Sequence, residues 1–151
     1  MNSKEKRALS KCMAICSKAE KCVSEIQKKL DVWEIESSGA QEIIDQLIKE
    51  KFIDESRFAR YYTRDKYRFN HWGKIKIAFQ LKMKAIPKST IDEALGEIDE
   101  EEYQNILTKL LQDKARKTKF ESEYERNGKL VRFAQGRGFE YELISKLLKE
   151  V

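Results

Sequence analysis

Five apolar positions recur three times along this 151-residue chain, and that recurrence limits its fold more than any other feature. They read Ile26, Leu30, Ile35, Ile43 and Leu47, then Ile77, Leu81, Ile86, Ile91 and Leu95, then Leu130, Ala134, Phe139, Ile144 and Leu148. The gaps in the second and third copies are 4, 5, 5 and 4 residues, and the first copy differs only by three extra residues in its third gap. The copies are offset by 51 and then 53 residues. A period of that length marks stacked supersecondary units, each too small to bury its apolar face alone. The expectation is three units sharing one continuous core. Such an elongated body suits a protein that lies along a polymer better than one that closes round a small substrate.

Helical spacing dominates, and no segment alternates long enough to support a strand. The first helix is expected over 4–17, with Leu9, Cys12, Met13 and Cys16 inward, and the second over 18–30, with Val23, Ile26 and Leu30 inward. A loop carrying Trp33 and Ile35 leads to Ser38-Gly39-Ala40-Gln41, which reads as a capping box for a helix burying Ile43, Ile44, Leu47 and Ile48. Asp54 is a good N-cap for a helix running to about Phe69. Asn70-His71-Trp72-Gly73 breaks it, a helix follows over 74–84, and Pro87 opens the next. Helices over 100–117, 128–135 and 140–150 complete an all-α array of three three-helix repeats, residues 1–53, 54–99 and 100–151.

Apolar residues make up 40% of the chain and charged residues 38%, with one proline and six glycines, which describes an ordered, highly charged, soluble protein rather than a linker or a disordered tail. No run approaches the roughly 18 apolar residues of a membrane span. The N-terminus lacks an apolar signal core, so the expected location is the cytoplasm. Cys12, Cys16 and Cys22 read as reduced, buried side chains, since a zinc site would need a fourth ligand and the one histidine, His71, lies in another repeat. There is no Gly-rich phosphate loop, no nucleophile elbow and no paired carboxylates. Neither catalysis nor a metal or cofactor is expected.

The net charge of +5 conceals an uneven distribution. Residues 1–50 are neutral, residues 51–90 carry +8 and residues 91–151 carry −3. Within the basic block, Arg57, Arg60, Arg64 and Arg68 follow at spacings of 3, 4 and 4, one sector of a helix. Phe58, Tyr62 and Phe69 take the sector facing the core. Tyr61 and Tyr67 flank the arginines, and Lys74 and Lys76 follow. Asp65 is the only acid from Arg57 to Lys76, so the stripe reads as nearly unpaired. Arginine forks match phosphate oxygens and exposed tyrosines stack on unpaired bases, so polyanion contact is the reading. A second, acid-diluted group comprises Lys114, Arg116, Lys117, Lys119, Arg126, Lys129, Arg132 and Arg137. Trp33 and Trp72 sit in loops, as packing between repeats or as an interface anchor. Residues 91–102 hold seven acids and no base, which reads as a solvated helix end.

Several stretches resemble a known family. Phe52-Ile53-Asp54-Glu55-Ser56-Arg57-Phe58-Ala59 is similar to an aliphatic-Asp-Asp/Glu-x-Arg-Phe-Ala signature. Gly73 through Ile86 resembles a second-repeat helix, and Arg137-Gly138-Phe139 a third-repeat turn. Together they resemble the RecX regulatory proteins, modulators of the RecA recombinase. Ala85 replaces the glycine usual before Ile86, which would let the helix end a residue later, and Lys51-Phe52 stands where the family often has glycine and an aromatic or aliphatic residue. The resemblance implies a curved tandem array without enzymatic activity. It implies a protein that binds RecA filaments, reaches their single- or double-stranded DNA, and inhibits ATP hydrolysis and strand exchange or limits filament growth; a monomer is expected. On that reading Arg57, Arg60, Arg64, Arg68, Lys74 and Lys76, extended by Arg132 and Arg137, contact filament DNA or acidic recombinase surface, with Tyr61, Tyr67 and Trp72 as interface aromatics. A stand-alone nucleic-acid-binding protein uses the same stripe, and a pure protein-interaction array would use the acidic segment instead.

Overall fold

Short polar side chains open several of the helices by accepting from the free N–H groups of the first turn. Asn2 forms a capping box with Glu5, Asp54 accepts from the Arg57 N–H at 3.0 Å, Asp99 from the Glu102 N–H at 3.0 Å, and Ser122 from the Glu125 N–H at 3.1 Å. A computed structural model describes all 151 residues, as nine helices with no strand. They are α1 (Ser3–Lys18), α2 (Val23–Val32), α3 (Ser37–Lys49), α4 (Glu55–Arg68), α5 (Lys74–Met83), α6 (Lys88–Gly96), α7 (Glu100–Lys117), α8 (Glu123–Gly136) and α9 (Tyr141–Leu148). The close helix packings fall inside the triplets α1–α3, α4–α6 and α7–α9.

Some boundaries differ from the sequence reading. Lys18 closes α1 rather than opening α2, which begins at Val23. No capping box forms at Ser38: α3 is already helical at Ser37, with Glu36 as N-cap. Gly39 lies inside that helix, with the Glu5 side chain against it, so that a Cβ there would sit 2.6 Å from Glu5 Oε1. With Ser122 as its N-cap, α8 begins at Glu123, five residues before Gly128. Ile48 points to solvent.

The recurring apolar positions are buried, apart from Leu95 and Leu148, which are partly buried. There the preceding residues, Ala94 and Leu147, take the inward place. The third position of each copy follows the same turn. Glu34, Ala85 and Gly138 have φ of 58°, 62° and 93°, and in each case the next residue's N–H reaches back to a buried helix carbonyl: Ile35 to Leu30, Ile86 to Leu81, Phe139 to Ala134. This is the left-handed helix termination that glycine favours. Ala85 adopts it without lengthening α5, and Lys51 adopts it at the end of α3 with φ of 62°.

The core is not continuous, contrary to expectation. Ala8, Cys12, Ile26, Leu30, Ile35, Ala40, Ile43, Ile44, Leu47 and Ile53 form one cluster within the first triplet. A larger cluster of 18 buried residues spans the other two triplets, centred on Leu81, Tyr103, Leu107, Leu130 and Phe139, and it takes Cys22 from the first. The two junctions differ accordingly. Between the second and third triplets backbone meets backbone. Gly73 N–H donates to the Arg137 carbonyl at 2.8 Å and Ile75 N–H to the Gly138 carbonyl at 3.0 Å. A Cβ on Gly73 would lie 2.2 Å from the Gly138 carbonyl, so glycine is required. The Lys74 N–H donates to the buried Tyr103 hydroxyl at 2.8 Å, and that hydroxyl donates to Glu140.

Between the first and second triplets the links are polar side chains: Ser24 Oγ to the Lys84 carbonyl at 2.7 Å, Lys84 Nζ to Glu25 at 3.0 Å, Val23 N–H to Glu55 at 3.2 Å, and Arg57 to Glu20 at 2.5 Å. The accessible surface is 9442 Å². A compact monomer of this mass would expose roughly 8,000 Å². The excess fits units joined in a row.

Candidate nucleic-acid interface

Helix α4 carries the arginine stripe, but the stripe is not bare. Arg57 Nε lies 2.5 Å from Glu20, and its other nitrogen donates to the Lys51 carbonyl at 3.1 Å. Arg60 Nε is 3.8 Å from Glu97. Arg68 meets both oxygens of Glu102, at 2.6 and 3.3 Å. On α5, Lys74 Nζ lies 2.8 Å from Glu100. The sequence reading of a nearly unpaired stripe is therefore corrected. Its acids come from the α1–α2 turn and from the segment Glu97–Glu102, which is not merely a solvated helix end. Folding brings α6 and the start of α7 against α4, so residues more than 30 positions apart become partners.

The places of two aromatics are also corrected. Tyr67 is buried at 2% exposure, edge-on to Tyr103, so it belongs to the core. Phe69, read as core-facing, is 76% exposed because α4 ends at Arg68 and the chain turns away. Tyr61 remains on the surface, with the Arg64 guanidinium over its ring at 5.2 Å.

Other cations on α4 and beyond it lack a carboxylate partner. Arg64 has none. Lys66 and Lys76 place their ammonium groups over the Trp72 ring at 4.8 and 4.5 Å, and Trp72 packs edge-on against Tyr62. The Gly138 Cα faces the Lys76 backbone so closely that a Cβ would lie 2.3 Å from Lys76 Cβ. Arg137, one residue earlier, donates to the Asn70 carbonyl at 3.1 Å and lies over Phe133, as does Lys114. Through the Gly138 backbone that packs on Lys76, contacts thus run from Lys66, Trp72 and Lys76 in the second triplet to Arg137, Phe133 and Lys114 in the third. Arg132 is exposed on α8, with its guanidinium over Gly128. The sequence reading missed Lys66. Its signal was present: it lies one helical turn after Tyr62, the spacing at which side chains share a face.

Burial pushes the Cys12 thiol up to about 11, and raises those of Cys16 and Cys22, so none is poised as a nucleophile. No group of three or more His, Cys, Asp or Glu side chains converges. No helix is long and apolar enough to cross a membrane.

Residues 54–95 match the family model described as "RecX, second three-helix domain", and residues 100–148 match "RecX, third three-helix domain". The regulatory protein RecX of Clostridium beijerinckii is 30% identical over 147 residues, covering 96% of this chain and 68% of that protein. The regulatory protein RecX of Clostridium acetobutylicum is 31% identical over 150 residues, covering 95% and 68%.

This chain belongs to the RecX family of regulatory proteins.

The two matched RecX domains are α4–α6 and α7–α9, the triplets that share a core. The fold agrees: the crystal structure of RecX from Lactobacillus salivarius superposes with a TM-score of 0.89 at 20% identity, covering 99% of this chain and 97% of that one. A second RecX crystal structure gives 0.88 at 23% identity, over 97% of this chain and 73% of that one. An all-α array of three-helix units is thus the RecX architecture, and the relatives are regulatory proteins by name.

Proposed function

We propose that this protein regulates the RecA recombinase by lying along its nucleoprotein filament and holding DNA against the second and third triplets, without itself performing catalysis. Membership of the RecX family supports the regulatory role. The observation that carries the DNA contact is the pair of ammonium groups, Lys66 and Lys76, over the ring of Trp72 with no carboxylate beside them. Cations held over an aromatic form a surface that can take a phosphate and a base together. Arg64, Arg132 and Arg137 extend that surface. Arg57, Arg60, Arg68 and Lys74 of the original stripe reach a polyanion only by exchanging it for the glutamates that now hold them. Arg57 is the least available, because it also ties α4 to the Lys51 carbonyl.

The test is inhibition of RecA ATP hydrolysis on single-stranded DNA by the triple variant Arg64→Gln, Lys66→Gln, Lys76→Gln. All three side chains lack acidic partners, so the variant should fold. Inhibition is expected to need about tenfold more protein, and the salt slope of DNA binding to fall by about 2, near 0.7 per lost phosphate contact on a single strand. Undiminished inhibition by a folded variant refutes the surface. Tight DNA binding by the native protein, with no effect on RecA, favours a stand-alone nucleic-acid-binding protein.

A further inference from the structure

Helix α5 leaves a second surface unused by this reading. Ile75, Phe79 and Met83 are 58%, 58% and 69% exposed. They follow at intervals of four, which makes one continuous ridge spanning about 12 Å of helix. The equivalent positions in the other triplets are Ser24, Lys28 and Val32 on α2, and Gly128, Arg132 and Gly136 on α8. The repeat therefore does not need large apolar groups there to fold. Only the middle triplet presents three of them to water, where apolar patches mark interaction sites.

We propose that this ridge docks an acidic amphipathic helix of a protein partner. Rows of side chains at i, i+4 and i+8 are the ridges that fit between the rows of another helix, so the shape calls for a helix. Charge specifies its flanks. Helix α5 contains no acid. Of its lysines, Lys74 is held by Glu100, whereas Lys76 and the exposed Lys82 have no carboxylate partner. A partner helix with a leucine-rich stripe and glutamate or aspartate edges satisfies both. A second copy of this chain does not, because two α5 helices face to face would bring Lys76 and Lys82 against their own kind. Nucleic acid fits poorly, since Ile75 and Met83 offer no ring for a base to stack on.

The experiment uses the full chain and no recombinase, so its outcome is separate from that of the filament reading. The probe is a fluorescent 18-residue helical peptide with a leucine stripe and glutamate edges, compared by anisotropy with the same peptide carrying lysine edges. The native chain should bind the acidic peptide at least tenfold more tightly than the basic one. The triple variant Ile75→Ser, Phe79→Ser, Met83→Ser should lose about tenfold in that binding and Lys82→Glu several-fold, with single-stranded DNA affinity unchanged in both. The altered side chains are solvent-facing, and Phe79→Ser alone serves if the triple variant does not fold. Equal binding of the two peptides overturns the proposal, as does binding that survives loss of the ridge. Self-association of the native chain that the triple variant abolishes assigns the ridge to a second copy, and a tenfold loss of DNA affinity assigns it to nucleic acid. Either result overturns the proposal.

Discussion

Ala85 and Gly138 occupy the same left-handed turn in successive repeats, yet their constraints differ. At Ala85 the cost is local: an L-residue at positive φ loses about 1–2 kcal/mol, part of which glycine recovers and part of which it returns through unfolded-state entropy. Ala85→Gly is therefore expected to raise stability by about 0.5–1 kcal/mol, read from urea unfolding. Gly138 has both a φ of 93° and the Lys76 backbone nitrogen 2.6 Å from where a Cβ would stand. Gly138→Ala is expected to cost at least about 2 kcal/mol, because the junction of the second and third triplets must part to admit the methyl group. A smaller loss in the same measurement would mean that the junction yields cheaply.

At the scale of elements, the first turn of α7 and the end of α6 supply the acids that hold α4 and α5. Such exposed pairs contribute only about 0–1 kcal/mol each to stability. Their larger effect is on charge: Glu97 and Glu102 occupy Arg60 and Arg68 as a phosphate would. The double variant Glu97→Gln, Glu102→Gln should bind single-stranded DNA several-fold more tightly and more salt-dependently, by filter binding across a salt series, with little change in melting temperature. Unchanged affinity would show that α4 stays clear of the DNA.

The joint between the first and second triplets titrates. Burial opposes ionisation of Glu25, but hydrogen bonds from Lys84 and the Cys22 N–H outweigh it and hold the carboxyl below its ordinary value of 4.5. Glu100 is likewise held down, chiefly by Lys74. A carboxylate lowered on folding stabilises the native state fully above its unfolded pKa, and that contribution disappears as pH falls through the folded one. Melting temperature should therefore drop between neutrality and about pH 3, and Glu25→Gln should drop less than the native chain over the same interval. An identical drop would exclude Glu25 as a contributor.

For the whole molecule, two cores of unequal size meet across a polar joint. Units with fewer buried apolar contacts open at lower free energy. The first triplet has its own cluster of 10 buried residues, against a cluster of 18 that spans the other two triplets and includes Cys22 of the first. Amide hydrogen exchange should accordingly be faster at Ile26, Leu30 and Ile43 than at Leu81, Leu107 and Leu130, with the first group merging into the second if the chain is one cooperative unit. Polar links such as Lys84–Glu25 and Arg57–Glu20 orient the first triplet in place of a shared apolar core. Any reorientation of one triplet against the next is expected there rather than at the Gly73–Gly138 junction, where backbone hydrogen bonds join the two triplets.

Much of this was legible in one dimension, because helical periodicity is a local property. The apolar positions that recur every fifty-odd residues define three triplets and most of the core, and Asp54 announces its helix because its carboxylate accepts from the N–H three residues on. What a single sequence could not supply were pairings between distant segments. The partners of Arg57, Arg60, Arg68 and Lys74 come from other helices, so charge counted along α4 overstated what is free. Tyr67 and Phe69 lie two residues apart, and only the packing of Tyr103 on one side and the end of α4 on the other decided that the first is core and the second surface. Local sequence dictated which faces must be buried; the third dimension chose which charges remain for a partner, because burial follows the periodicity of one helix whereas ion pairing depends on where the others come to rest.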